Sequence, residues 1–323
     1  MAARTRKKKS APRSHPRGNP QKQHVSGDPR HVEPATLGDW ISAARLRTLP
    51  LAIAPVVIGT GAAMTVDFRF HWVIALCCLA VALALQIGVN FANDYSDGIR
   101  GTDDHRIGPQ RLTASRKVPA RTVLTVALVF FAIAAAAGIA IVVRTQHWWM
   151  LAVGAVCIVA AWFYTGGKRP YGYAALGEVA VFVFFGLVAT TGTTFVQAGV
   201  VPDVSWLGAV AAGSLACAVL LANNLRDIDQ DRVVGKRTLT VLIGKRATQI
   251  LFTVLILVPF AIAAVLALLY PIAWLSLLGL LPAAAAILIV WTYRDPRELV
   301  VALGVTSLTA LAYAGFLFWA FVG

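Results

Sequence analysis

The chain has 323 residues, of which 58% are hydrophobic, and its mean hydropathy is +0.70. This apolar share excludes an ordinary soluble domain. The net charge of +14 could suggest nucleic acid as a partner, but nine of the 29 Lys and Arg residues lie in the first 38 positions. We therefore expect an integral membrane protein with no specific nucleic-acid partner.

Residues 1–38 form a basic segment with five prolines and no apolar periodicity. This composition predicts a disordered cytoplasmic tail. A basic arm beside a membrane is well suited to rest on anionic lipid headgroups, so membrane lipid is its expected partner. No apolar stretch with a cleavage site follows directly, which excludes a secretory signal.

The rest of the chain, residues 39–323, is predicted to be one transmembrane domain. Nine apolar runs are long enough to cross a bilayer, which takes about 20 helical residues. They cover residues 41–65, 70–93, 120–143, 146–165, 174–198, 205–225, 247–270, 272–292 and 299–321. The predicted fold is therefore an all-α bundle of nine transmembrane helices. Pro50 and Pro55 in the first run predict a kink.

The distribution of basic residues predicts the orientation of this bundle. Fifteen Lys and Arg residues lie in the connections that follow the second, fourth, sixth and eighth runs, whereas the four opposite connections contain Arg69 and Arg144. Because basic connections stay on the cytoplasmic side, we expect a cytoplasmic N terminus and a C terminus outside.

Two acidic stretches follow the second and sixth runs. Residues 90–111 read NFANDYSDGIRGTDDHRIGPQR, and residues 223–237 read NNLRDIDQDRVVGKR. Together they contain seven of the 15 acids: Asp94, Asp97, Asp103, Asp104, Asp227, Asp229 and Asp231. The predicted topology places both stretches on the cytoplasmic side, where they can face each other across one cavity.

Amides and carboxylates recur at helical spacing in both stretches. Asn90, Asp94 and Asp97 are at i, i+4 and i+7, and Asn224, Asp227 and Asp231 are at i, i+3 and i+7. Oxygen donors of this kind favour Mg²⁺, and no His or Cys is placed to select zinc. A metal ion would also relieve the repulsion between the carboxylates. The alternative is that acids and bases on solvated loops neutralise one another.

Magnesium held by a few carboxylates keeps coordination positions for phosphate oxygens. Basic residues that could clamp a diphosphate lie around both stretches: Arg106, Arg111, Lys168, Arg226, Arg232, Lys236 and Arg237. Lys168 could equally be a positive-inside anchor. Arg45 and Arg47 precede the first long run and are either diphosphate clamps or snorkelling anchors.

Glu178 is the acid placed well inside an apolar run, and an ionisable residue there suggests a function. With Tyr171 and Tyr173 close by in the sequence, it could bond a buried hydroxyl or help to seat an aromatic acceptor. We therefore predict that Tyr171 and Glu178 bind the acceptor.

The two Asn/Asp-rich stretches after apolar helices resemble those of the UbiA superfamily of membrane prenyltransferases. Within it, NDYSDGIRGTDDHRIGPQR, YTGGKRPYGYAALGE, FFGLVATTGT and NNLRDIDQDRVVGKRTL are similar to 1,4-dihydroxy-2-naphthoate polyprenyltransferases of menaquinone biosynthesis. The resemblance runs from about Arg45 to the C terminus. Superfamily members often have a further acid where this chain has Gly101, and Asp103 follows it.

The resemblance implies an enzyme of the cell membrane with its active site facing the cytoplasm. It implies that two Mg²⁺ ions hold a polyprenyl diphosphate through Asn90, Asp94, Asp97, Asn224, Asp227 and Asp231. Tyr164 and Lys168 match a Tyr-x-x-x-Lys pair near the diphosphate. The implied reaction joins the prenyl group to 1,4-dihydroxy-2-naphthoate with loss of CO₂ and diphosphate, giving demethylmenaquinone. The four aspartates and Lys168 are the implied catalytic residues.

Three alternatives remain at this point. A related prenyltransferase could act on another aromatic acid or on a phosphosugar. A cation transporter would have acids spread through the membrane depth, whereas all the acids of the two stretches lie at one face. A magnesium-dependent phospholipid phosphotransferase would pack its aspartates into one stretch, and this chain divides them between two.

Overall fold

The computed structural model describes residues 34–102 and 111–323, which form ten helices and two short 3-10 turns, Leu46–Thr48 and Tyr171–Tyr173. Most of the predicted tail, the acids Asp103 and Asp104, and the predicted diphosphate-binding residue Arg106 lie outside the described residues. In chain order the helices are α1 Leu37–Ala44, α2 Pro50–Asp67, α3 Trp72–Arg100, α4 Ala120–Thr145, α5 Met150–Phe163, α6 Gly177–Ala198, α7 Asp203–Val233, α8 Leu239–Leu266, α9 Pro271–Thr292 and α10 Glu298–Val322.

Within the described ranges, seven of these helices are long and apolar enough to span a membrane. An eighth span results if α1 and α2, which meet at a bend of 44°, are counted together. This bend confirms the kink predicted from Pro50. Helix α5 is shorter than predicted, because Gln146 adopts a left-handed conformation and the helix starts only at Met150. Its 14 residues rise about 21 Å, less than the hydrocarbon thickness of about 30 Å.

Helix α7 lies at the centre of the bundle, with 72% of its apolar window buried. Its Ala, Gly and Ser residues let neighbouring helices approach closely, as is typical of membrane bundles. One such approach is at Gly213, whose Cα lies 2.6 Å from where a Cβ of Gly186 would be. Gly186 belongs to the π-helical turn Phe182–Val188 of α6. The turn therefore packs directly on the backbone of α7.

Helices α3 and α7 continue about two turns beyond their apolar runs, to Arg100 and Val233. The first parts of the acidic stretches therefore lie on helices and not in loops. Gly101 ends α3 with a φ of 71°, a conformation that glycine adopts readily. The loop between α5 and α6 crosses the same end of the bundle, where Arg237 N donates to Tyr173 O at 3.1 Å.

Candidate active site

A polar cavity of about 90 Å³ lies between the ends of α3 and α7. It is lined by Arg45, Asn93, Asp97, Thr102, Arg111, Tyr164, Thr165, Gly172, Tyr173, Leu220, Asn223, Asn224, Asp227, Gln230, Asp231, Lys236 and Thr238. The structure thus brings the two acidic stretches to one cavity, as the sequence predicted.

The acidic face of α3 is divided between two environments. Asn93 and Asp97 line the cavity, whereas Asn90 donates from its amide nitrogen to Ala44 O at 3.0 Å. Asp94 is fully buried and accepts backbone hydrogen bonds from Leu112 and Thr113, in the second half of the α3–α4 connection. In this structure Asn90 and Asp94 do not line the cavity with Asp97, and their assignment as metal ligands stays a prediction. Residues advance about 100° along a helix, so the cavity meets one edge of the stripe and the protein interior covers the other.

Asp97 is the centre of a buried cluster of polar groups. Its Oδ1 accepts a hydrogen bond from the Tyr173 hydroxyl, and its Oδ2 lies 3.3 Å from Lys236 Nζ and 3.6 Å from Arg111 Nη2. The Lys236 ammonium also lies 4.7 Å above the centre of the Tyr173 ring. Two of the predicted diphosphate-binding bases therefore contact a predicted metal ligand directly.

Asp227 is paired with its own neighbour in sequence. Arg226 Nε and Nη2 donate to the two oxygens of Asp227 at 2.7 and 2.6 Å, and Nη2 also donates to Asn223 Oδ1 at 2.9 Å. Arg226 is only 4% exposed, so this bidentate pair is shielded from solvent and geometrically specific. Arg226 accordingly orients Asp227, and it does not line the cavity.

Glu178 contacts the second acidic stretch and not a binding pocket for an acceptor. Its Oε1 accepts a hydrogen bond of 2.9 Å from Asn224 Nδ2. Because this bond uses the amide nitrogen of Asn224, the amide oxygen remains for the cavity that Asn224 lines. Tyr171 lies apart from the cavity and donates to Ala160 O at 2.7 Å. Neither residue lines the polar cavity, and their role in acceptor binding stays a prediction.

Several predicted diphosphate contacts do not reach the cavity. Lys168, Arg47 and Arg237 have exposed side chains, and Arg232 pairs with the exposed Asp229 at 3.7 Å. Long basic side chains at the end of a membrane bundle extend toward water. Among the residues that the structure describes, the bases that line the cavity are Arg45, Arg111 and Lys236.

The loop between α5 and α6 is fixed against α3. Arg100 donates to the carbonyl oxygens of Thr165 and Gly167, and Thr165 Oγ1 donates to Asn93 Oδ1 at 2.5 Å. Gly172 is required where the loop folds back, since a Cβ there would lie 2.6 Å from Tyr164 O. These contacts hold Tyr164 and Tyr173 at the cavity.

Burial changes the ionisation of the two cavity tyrosines. It raises the pKa of Tyr173, and the charge of Asp97 raises it further. Burial also raises the pKa of Tyr164, with a smaller contribution from Glu178. Both phenols therefore stay protonated at neutral pH, and Tyr173 remains a hydrogen-bond donor to Asp97.

The donor set of the cavity suits a hard cation. Among the described residues, no three Asp, Glu, His or Cys side chains lie close enough together to hold one ion. The cavity nevertheless gathers carboxylates from Asp97, Asp227 and Asp231 with amides from Asn93 and Asn224. Magnesium is usually bound by one or two carboxylates together with substrate phosphates and water. These residues therefore fit Mg²⁺ that is shared with a phosphorylated ligand.

A second, apolar cavity of about 390 Å³ lies deeper in the bundle. Its walls come from α2, α3, α4, α5 and α6, and include Val89 and Ala161. These two residues lie about one helical turn below Asn93 and Thr165 of the polar cavity. The same helices therefore carry the walls of both cavities, with an almost purely apolar lining in the deeper one.

Sequence reasoning did not include Asn93 or Tyr173 in the site, although both line the cavity. Asn93 is four residues before Asp97, a spacing that could have identified it. Tyr173 was noted only for its closeness to Glu178, and nothing in the sequence indicates that its hydroxyl reaches Asp97. Its position depends on the path of the α5–α6 loop.

Residues 52–303 match the model of the UbiA prenyltransferase family. A 1,4-dihydroxy-2-naphthoate octaprenyltransferase of Mycobacterium tuberculosis is 50% identical over 286 residues, which cover 87% of this chain and 95% of that protein. The enzyme of the same name from Escherichia coli is 39% identical over 212 residues, covering 64% of this chain and 68% of the relative.

Solved structures share the fold at low sequence identity. A UbiA homolog from Aeropyrum pernix K1 gives a TM-score of 0.65 at 15% identity, covering 83% of this chain and 96% of its own. A homolog from Archaeoglobus fulgidus, bound to GPP and Mg²⁺, gives 0.60 at 13% identity and covers 87% and 99%. The family model spans most of the sequence, and so the chain belongs to the UbiA prenyltransferase family.

Proposed function

We propose that this chain transfers a polyprenyl group from polyprenyl diphosphate to 1,4-dihydroxy-2-naphthoate, with loss of CO₂ and diphosphate, to give demethylmenaquinol, the reduced form of demethylmenaquinone. The observation that carries the proposal is the pair of cavities on shared helices. One is lined by acids and bases suited to a metal-bound diphosphate, and the other is lined by apolar side chains suited to a prenyl chain. An amphipathic donor needs both.

Mg²⁺ is the proposed cofactor, held by Asp97, Asp227 and Asp231 with the amide oxygens of Asn93 and Asn224. When bound, it would supply positive charge that stabilises the departing diphosphate. Asn90 and Asp94 are left out of this set because their contacts lie elsewhere. The structure of the Archaeoglobus fulgidus homolog with GPP and Mg²⁺ supports the choice of metal and donor class.

Three basic side chains line the cavity in which we propose that the diphosphate binds. Arg111 and Lys236 contact Asp97, so both already lie beside a proposed metal ligand. Arg45, the residue that directly follows α1, lines the same space. Preorganised cations that face developing negative charge stabilise the transition state more in a water-poor site than in water. They therefore favour cleavage of the allylic C–O bond.

The reaction then balances without a covalent enzyme intermediate. The allylic C–O bond breaks and its electron pair leaves with the diphosphate. The electron-rich ring forms a C–C bond to the prenyl cation at the carbon that bears the carboxylate. Loss of CO₂ returns an electron pair to the ring and restores aromaticity. The apolar cavity surrounds the prenyl chain and keeps water from the cation.

The choice of acceptor is supported by the relatives, since enzymes named 1,4-dihydroxy-2-naphthoate octaprenyltransferase are 50% and 39% identical to this chain. Prenylation of another aromatic acid or of a phosphosugar uses the same donor chemistry and is the alternative. Direct comparison of acceptors distinguishes them.

The proposed setting is the cell membrane, with the polar cavity toward the cytoplasm. The four connections at the cavity end of the helices carry fifteen Lys and Arg residues, against two at the other end. Counting α5 as a short span gives nine crossings, and therefore an N terminus inside and a C terminus outside. Cysteine substitutions at Ala174, near the cavity, and at Gly199, at the opposite end, would test this orientation. A membrane-impermeant thiol reagent added to intact cells should label the cysteine at position 199 and not the one at position 174.

The activity is tested with purified protein, octaprenyl diphosphate, Mg²⁺ and either 1,4-dihydroxy-2-naphthoate or 4-hydroxybenzoate, with products identified by mass spectrometry. We expect demethylmenaquinol from the naphthoate, detected as such or as the quinone that air oxidation gives from it. We expect no product with EDTA, and a loss of at least about 100-fold in Asp97→Asn and Asp227→Asn, as for a removed catalytic charge. Asp229→Asn, at an exposed acid on the same helix, is the matched control. Full turnover in EDTA would refute the metal site.

A further inference from the structure

Asp94 makes contacts that no part of the proposed reaction uses. Its Oδ2 accepts from the backbone N–H of Leu112 at 2.9 Å, and its Oδ1 accepts from that of Thr113 at 2.9 Å. The side chain is fully buried. A carboxylate that accepts two successive backbone N–H groups fixes both the position and the direction of that chain segment.

Gly98 shows that the same segment also approaches α3 closely. It lies four residues after Asp94, on the same face of the helix. A Cβ at Gly98 would lie 2.4 Å from Thr113 Cγ2 and 2.5 Å from Thr113 Cβ. Any other residue would push Thr113 away from α3. The backbone of Gly98 and the carboxylate of Asp94 therefore form one packing site for residues 112–113.

The segment that is held in this way carries Arg111 to the cavity. Leu112 is 1% exposed and packs in a small core with Ala43, Phe91 and Val123. This packing leaves Arg111, the preceding residue, directed at the polar cavity, where Nη2 lies 3.6 Å from Asp97 Oδ2. Asp94 and Arg111 are thus linked through two peptide units, without contact between their side chains.

We propose that Asp94 is a positioning residue that acts through Arg111, and that Gly98 serves the same purpose by letting the segment dock. Asp94 holds the backbone of Leu112 and Thr113 so that the Arg111 guanidinium faces the diphosphate beside Asp97. The part concerning the diphosphate rests on the proposed function. To bind a metal, Asp94 would have to release two buried N–H groups and leave them without acceptors.

Hydrogen exchange tests the link between Asp94 and the segment whatever the reaction is. In Asp94→Asn, one acceptor oxygen is replaced by an NH₂ group that faces a backbone donor. We expect the amides of Leu112 and Thr113 to exchange at least about tenfold faster, as for loss of a charge-assisted hydrogen bond, while peptides of α7 are unchanged. Asp229→Asn, at an exposed acid, is the control and should leave exchange unchanged both at residues 112–113 and in α7. Unchanged exchange at residues 112–113 in Asp94→Asn would overturn the proposal.

Enzyme kinetics test the route through Arg111. We expect Asp94→Asn and Arg111→Ala each to raise KM for prenyl diphosphate by about tenfold, with the double variant no worse than Arg111→Ala, because residues in one pathway are not additive. The half-saturating Mg²⁺ concentration should rise in Asp97→Asn and stay within about twofold of wild type in Asp94→Asn at saturating donor. Additive effects, or a Mg²⁺ shift in Asp94→Asn equal to that of Asp97→Asn, would contradict the positioning role.

A variant that leaves every charge in place gives an independent check. Gly98→Ala should raise KM for prenyl diphosphate and speed exchange at Thr113, whereas Gly304→Ala, where the added methyl meets open space, should do neither. A wild-type protein that forms no product would refute the proposed function, and the exchange experiment would then decide the role of Asp94 alone.

Discussion

Replacing Glu178 separates a role in acceptor binding from a role in holding Asn224. Glu178→Leu removes the acceptor of the 2.9 Å hydrogen bond from Asn224 Nδ2. Both residues are buried, at 7% and 8% exposure, so water cannot replace the lost partner. The freed Asn224 amide can rotate and present its nitrogen, which cannot bind a cation, to the cavity. We therefore expect weaker binding of Mg²⁺ together with the donor.

The structure sets the size of this effect. Leaving a buried donor without a partner costs about 1 to 3 kcal/mol, which corresponds to a loss of roughly 5- to 150-fold in binding. Glu178→Gln keeps an acceptor oxygen at the same place, so we expect it to remain within about threefold of wild type. The contrast between Leu and Gln at one position is therefore the informative quantity.

The assay is initial rate of prenyl transfer as a function of Mg²⁺, donor and acceptor concentration in turn. We expect Glu178→Leu to raise the half-saturating Mg²⁺ concentration and to leave KM for the acceptor unchanged. A rise confined to KM for the acceptor would refute this reasoning and restore the role in acceptor binding. Equal losses in Glu178→Gln and Glu178→Leu would also refute it, because the hydrogen bond would then not be the cause.

Three further substitutions test other parts of the site. Tyr173→Phe removes the hydroxyl that donates to Asp97 and should lower kcat/KM by about fivefold, for a hydrogen bond of about 1 kcal/mol. Burial and the charge of Asp97 raise the pKa of Tyr173, so the hydroxyl stays protonated. The loss of kcat/KM should therefore be constant from about pH 6 to 9. Ala189→Trp narrows the apolar cavity and should slow octaprenyl transfer more than geranyl transfer, compared as kcat/KM. Gly186→Ala should lower the free energy of unfolding by about 1 to 3 kcal/mol, because the added Cβ would collide with Gly213. Gly304→Ala, whose added methyl meets open space, should leave it unchanged.

Long-range features of the fold were predictable from the sequence because they depend on sums over many residues. The apolar runs of α3 and α7 can be recognised as membrane spans from their length and composition. Their prediction therefore does not depend on any single contact. The predicted meeting of the two acidic stretches followed from the side of the membrane on which the bases lie. The exception is α5, whose length depends on where two turns begin and end, and turns are set locally.

Which acid does what could not be predicted in the same way. Asp94 and Asp97 have the same chemistry and lie three residues apart, so the helical pattern places both on one stripe. Their surroundings differ because residues 112–113 pack against Asp94, and no local pattern encodes a contact between residues so far apart in sequence. The same holds for Tyr173, which reaches Asp97 from a loop 76 residues away.

Arg226 and Lys236 each pair with an aspartate, but they differ in whether that aspartate keeps other partners when the base is removed. Arg226 binds both oxygens of Asp227 while shielded from solvent, so Arg226→Leu would leave a buried carboxylate without its main partner, a change that costs about 3 to 5 kcal/mol. Asp97 has three such partners, in Lys236, Arg111 and Tyr173. Removing Lys236 alone therefore leaves Asp97 satisfied. Consequently a substitution at Arg226 should act chiefly on folding, and one at Lys236 chiefly on binding of the diphosphate.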